Sequence, residues 1–164
     1  MCGMALEDMT VQVQHRFSAA LPLVWSLLSD VERLAGLGPE HTSAKWADKG
    51  PALGARFTGT NIRDGREWTV GCRITVYDEP HEIAWQTGAP ESPTATWSYT
   101  LEPAGDGTLV TQVFRHGPGV TYLRSAIDKH PERAQEFIDG RAAELASNMT
   151  VVLSAADALL AAGH

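Results

Sequence analysis

The sequence predicts an α+β domain in which a seven-stranded antiparallel sheet wraps around one long C-terminal helix, with two short helices after the first strand. Three observations predict it. Residues 41–116 carry strand patterns separated by short turns. A short helical stretch interrupts the chain between the first strand and that run. Residues 131–162 carry one apolar stripe at helical spacing.

The elements follow in order. Residues 1–8 carry no pattern and are expected to be a flexible N-terminus, leaving 9–162 as a single domain. From Met9 to Phe17 the chain alternates, with Val11, Val13, His15 and Phe17 on one face and polar residues on the other. Pro22 suits a first helical turn, and Val24, Leu27 and Leu28 then share a helical face with Trp25 at its edge. The spacing Ser29-Asp30-Val31-Glu32 predicts a second short helix with a capping box, ending at Gly36. Strands are predicted at 41–46, 55–62, 67–77, 82–87, 94–101 and 109–116, joined through Asp64-Gly65, Glu79-Pro80, Ala89-Pro90 and Gly105-Asp106-Gly107. Connections this short make successive strands pair antiparallel. In 67–77, Trp68, Val70, Cys72, Ile74 and Val76 fall on one side, so one face of the sheet is covered. After Gly117-Pro118-Gly119 a weakly patterned segment runs to Lys129.

Pro131 opens the long helix. Ile138, Ala142, Leu145, Met149, Val152, Ala156 and Leu159 recur at spacings of four and three. A straight helix over 131–162 would be roughly 48 Å long, against a body roughly 40 Å across. It must therefore overhang, bend or break, and Gly140 is where a kink is expected. A sheet that curls around such a helix leaves a cavity between the two, and the lining of that cavity decides function.

Several phrases of the sequence resemble a known superfamily. They are Pro22, Val24-Trp25 and Leu28-Ser29-Asp30; Gly54-Ala55-Arg56-Phe57; Arg66-Glu67-Trp68-Thr69 and Arg73-Ile74-Thr75; Trp97 to Pro103 followed by Gly107-Thr108; and Pro131-Glu132-Arg133 with Asn148-Met149. Together they resemble the polyketide cyclase/dehydrase and lipid-transport proteins of the START and Bet v 1-like (SRPBCC) superfamily. The resemblance covers residues 9–162 and implies the helix-grip fold. Its members include lipid carriers, hormone receptors, aromatase/cyclases and co-chaperone-like proteins, so it does not by itself choose an activity.

Composition excludes other classes. The net charge of −7 argues against nucleic acid and anionic membrane surfaces, which need a basic face. The two cysteines, Cys2 and Cys72, offer neither a disulfide framework nor a zinc site, and no histidine spacing suggests a metal. The longest apolar runs, 19–24 and 158–162, are too short to span a bilayer, and the start of the chain lacks a secretory pattern. A cytoplasmic protein without a cofactor is expected, its partner a small hydrophobic molecule, with no integral membrane association and a homodimer left open.

The candidate ligand-binding residues are His15, Phe57, Asn61, Trp68, Trp85, Trp97, Gln112, Phe114, Phe137, Asn148 and Met149. The tryptophans sit on three successive strands and offer flat apolar walls, each with one N–H donor. Met149 adapts to irregular shapes. Asn61 shares parity with Phe57, and Gln112 with Phe114, so both would point inward. His15, on the apolar face of the first strand, is either a weak candidate acid–base group or a neutral histidine bonded to a neighbour. The expected function is binding of a hydrophobic, ring-containing molecule, lipid- or polyketide-like. An aromatase/cyclase or dehydratase acting on a polyketide-like substrate in the same cavity is the alternative. A co-chaperone-like interaction domain is the second.

Overall fold

A computed structural model describes residues 5–163. Of the N-terminal stretch expected to be flexible, residues 1–4 lie outside the described residues. Leu6–Asp8 instead forms a 3-10 turn with Leu6 buried, because that side chain finds a place beside Met9, Ile138 and Leu145 in an apolar cluster. The strands are β1 (Thr10–Phe17), β2 (His41–Trp46), β3 (Arg56–Arg63), β4 (Arg66–Asp78), β5 (Glu82–Ala89), β6 (Ser92–Ala104) and β7 (Gly107–His116). The helices are α1 (Leu21–Leu28), α2 (Val31–Leu34), α3 (Tyr122–Lys129) and α4 (Ala134–Ala161). One seven-stranded sheet runs β1-β7-β6-β5-β4-β3-β2, antiparallel throughout, as predicted.

Two local details depart from the sequence reading. Asp30, not Ser29, caps α2: its carboxylate accepts from the Glu32 and Arg33 N–H groups, while the Ser29 hydroxyl donates back to the Trp25 carbonyl at 2.7 Å. In β4 a bulge between Ile74 and Val76 shifts the parity by one residue. Tyr77 therefore replaces Val76 on the covered face and packs on Trp25, ring centroids 5.6 Å apart. Trp25 is buried and anchors α1 to the sheet.

Helix α4 is unbroken through Gly140, so no break occurs at the expected site. Its length is accommodated by overhang: residues 134–137 include no buried side chain, and burial starts at Ile138. The stripe continues through Leu145, Met149, Leu153 and Ala156; Leu153, absent from the predicted stripe, is its most buried member together with Ala156. By length and composition this helix could cross a membrane, but the curled sheet takes up its apolar stripe. At the sheet edge His15 Nε2 meets Asp157 Oδ2 at 2.9 Å, and Asp157 Oδ1 accepts the Ser18 N–H at 3.2 Å, tying β1 to α4.

Gly117-Pro118-Gly119 is held against β6. The Gly117 and Gly119 N–H groups donate to the Thr94 and Pro93 carbonyls, and a Cβ on Gly117 would stand 2.2 Å from the Pro93 oxygen. Only glycine allows that approach. The following helix α3 has no buried residue.

Candidate ligand-binding cavity

The sheet register sets the site. Away from the bulges, paired residues keep their parity from strand to strand, so residues of one face line up in rows. One row is Ile74, Trp85, Trp97, Phe114 and Val11; the next is Ile83, Tyr99, Gln112 and Val13; a third is Phe57, Cys72, Thr87, Ala95 and His116. Trp85 and Trp97 lie parallel with centroids 6.4 Å apart, and Phe114 meets Trp97 edge-on at 4.8 Å. Phe57 extends this wall toward Trp46.

Between that wall and α4 lies a cavity of about 260 Å³. This is close to the lower end of the roughly 300–1,000 Å³ usual for small-molecule sites. The sheet contributes Phe57, Asn61, Trp68, Trp85, Trp97, Gln112 and Phe114, and α4 contributes Leu145, Asn148 and Met149. Nine of the eleven predicted residues therefore border one space. His15 and Phe137 do not. His15 is engaged by Asp157, a partner 142 positions away that the sequence could not assign. Phe137 sits on the overhanging turn of α4 under the Arg133 guanidinium, 4.6 Å from its ring centroid. Trp68 borders the cavity but is 37% exposed, so it forms a rim.

At the polar end of the cavity sequence reasoning named Asn148 but not its partner Glu40. Arg141 holds Glu40 through two hydrogen bonds, at 3.0 and 2.6 Å, and Asn148 donates to the same carboxylate at 3.1 Å. Arg141 also contacts Glu144, which takes two further bonds from Arg63 at 2.7 and 3.1 Å. The Arg63 bonds, ahead of other causes, hold the Glu144 carboxyl below its usual range. Glu40 and Asn148 border both the inner cavity and a shallow outer depression, so this clasp divides the two. Residues 117–129 line neither. The Arg141–Glu144 spacing of three on α4 was a visible signal; Glu40, in a loop, carried none.

Two histidines border the fold's interior. His41 Nδ1 bonds Asn61 Oδ1 at 3.2 Å beside the cavity. His116 donates from Nδ1 to the Gly117 carbonyl at 2.7 Å, so its Nε2 accepts from the Thr121 hydroxyl at 2.8 Å. Burial lowers both below the ordinary 6.5; Asn61 and Glu40 oppose this at His41, while at His116 Gly117 and Glu7 oppose it and Arg124 adds to it. As pH falls through about 6.5 the unfolded chain takes up these protons first, so stability present above that value is lost. Thermal melts should show a falling Tm between about pH 7.5 and pH 5.5, above the range where Glu144 titrates, and His116→Gln should flatten part of the fall. An unchanged slope in that variant would contradict the assignment. Burial also pushes the Cys72 thiol up to about 12 and raises the Tyr99 hydroxyl, so neither ionises near neutrality.

A curled sheet gripping a helix, with an aromatic-walled cavity between them, defines the helix-grip class of hydrophobic ligand-binding domains. The sequence model of the polyketide cyclase/dehydrase and lipid transport family matches residues 8–149, and the chain belongs to that family. It is similar in structure to the Polyketide_cyc-like protein Cgl2372 of Corynebacterium glutamicum, at 25% identity and a TM-score of 0.68 over 95% of this chain and 93% of that one. It is also similar to protein Ms6760 of Mycobacterium smegmatis, at 23% identity and 0.62 over 98% and 96%. Ara h 8.0201, a Bet v 1-type allergen, shares the fold at 16% identity and 0.53 over 82% and 97%. No curated protein matches the sequence.

Proposed function

We propose that the protein binds a hydrophobic, ring-containing small molecule, lipid- or polyketide-like, in the cavity between sheet and α4. The observation that carries this is the cavity itself, walled by Phe57, Trp85, Trp97 and Phe114 on one side and Leu145 and Met149 on the other. Burying an aromatic ring there gains roughly 25 cal/mol per Å² of apolar surface, so these contacts supply most of the affinity. Asn61, Gln112 and Asn148 would orient the ligand, and Trp68 would border its exposed end. Entry is at the Glu40–Arg141 clasp, since an outer depression adjoins the cavity there. The clasp's two arginines are matched by two carboxylates, which favours uncharged ligands.

An NMR titration of the tryptophan indole N–H signals with 2-methylnaphthalene tests the proposal. The Trp85 and Trp97 signals should shift with saturation, and that of Trp25, outside the cavity, should stay in place. Shifts confined to Trp25, or none at all, would refute it.

An enzymatic reading, cyclase or dehydratase, has one observation in its favour. His41 lines the cavity with Nδ1 committed to Asn61, which leaves Nε2 as the lone-pair nitrogen of a neutral imidazole. His41, rather than His15, would then be the base. Turnover of an enolisable poly-β-ketone that disappears in His41→Gln while 2-methylnaphthalene still binds would establish it; equal turnover in both proteins would dismiss it.

A further inference from the structure

Two side chains on the cavity wall have polar atoms with nothing to bond. Tyr99 on β6 and Gln112 on β7 are directly opposite in the sheet register, and both line the cavity. They are 3% and 4% exposed. Gln112 Oε1 is buried without a hydrogen-bond partner, and no other side-chain atom among the described residues is in that state. The Tyr99 hydroxyl makes no hydrogen bond to any described residue. Several other polar groups of the wall are engaged: Thr87 with Thr94, Asn61 with His41, and Arg141 and Asn148 with Glu40. Buried polar groups are almost always satisfied, so an orphaned amide beside an unpartnered hydroxyl marks a place where a ligand supplies the missing bonds.

We propose that Tyr99 and Gln112 form a hydrogen-bonding anchor that selects aromatic ligands carrying a neutral hydroxyl group. This rests on the binding reading above and specifies its ligand chemistry. A hydroxyl both donates and accepts, so it can give its proton to Gln112 Oε1 while receiving that of Tyr99. The same two bonds remain available if the amide is turned over, with the roles exchanged. A carboxylate fits worse. It could only accept, and the arginines of the clasp, Arg141 and Arg63, are already neutralised by Glu40 and Glu144. A methyl group in the same position would leave both protein groups unpaired, which is how a polar site rejects an apolar isostere.

The isosteric pair 2-naphthol and 2-methylnaphthalene tests the anchor, with 2-naphthoate as the charged control. Calorimetric titration gives the affinity ratio of naphthol to methylnaphthalene in the wild type, in Gln112→Met and in Tyr99→Phe. Tyr99→Phe removes a single oxygen and guards against a folding defect in the first variant. The ratio should fall about threefold to tenfold in each variant, as expected for one neutral hydrogen bond. If both probes bind but the ratio is the same in all three proteins, the anchor is wrong and the cavity reading stands. Naphthoate binding tighter than naphthol would overturn the preference for a neutral group. If neither neutral probe binds the wild type, the binding reading fails and the anchor fails with it.

Discussion

Truncating Ile74 or Leu153 to alanine is expected to cost about 2–5 kcal/mol each, a large share of the ~5–15 kcal/mol that holds an ordinary domain together. Ile74 is 1% and Leu153 0% exposed, and they belong to one apolar cluster, the first on β4 and the second on α4. Each removal takes away transfer energy and leaves a void between layers that cannot collapse, because the sheet is hydrogen-bonded on both sides of β4. Leu145→Ala should cost less than Leu153→Ala, since Leu145 already borders the cavity and has fewer neighbours to lose. Denaturant melts measure all three. Wild-type midpoints for Ile74→Ala and Leu153→Ala would mean that the sheet and helix do not share this core.

Leu145→Trp should have the largest effect on binding. An indole projecting from the same helical position would fill much of the space between α4 and the Trp85–Trp97 wall. The affinity for 2-methylnaphthalene should drop at least tenfold, about 1.4 kcal/mol. Stability should hold or rise. Inserting bulk into a packed core costs ~1–3 kcal/mol, but here the added atoms enter empty volume and gain contacts. Wild-type affinity in a folded Leu145→Trp protein would put the ligand outside the cavity.

The aromatic wall was legible because parity is a local property. Alternation in each strand assigned Trp85, Trp97, Gln112 and Phe114 to one face, and short turns forced neighbouring strands to pair, so those residues had to come together. The same rule misplaced Val76, since one extra residue in a bulge reverses parity downstream and no strong sequence pattern marks it. Tyr99 shares parity with Trp97, two residues away, and could have been found by that signal. His15 shows the limit: its face was right, but its partner Asp157 comes from the far end of the chain.

The sequence by itself determined the elements, their order, the antiparallel pairing and the apolar faces of sheet and helix. These rest on interactions between residues a few positions apart, written as periods of 2 and 3.6 and as turn chemistry. The tertiary structure alone decided how far α4 stands from the sheet and which side chains meet across that gap. Glu40 reaches Arg141 over 101 positions and Arg63 reaches Glu144 over 81, and neither pair has a local signature. The cavity is likewise a remainder, the volume left when a curved sheet closes on a helix. Its size, its clasp and the unpaired Gln112 oxygen at its wall follow from the packing of distant layers, which no window of sequence contains.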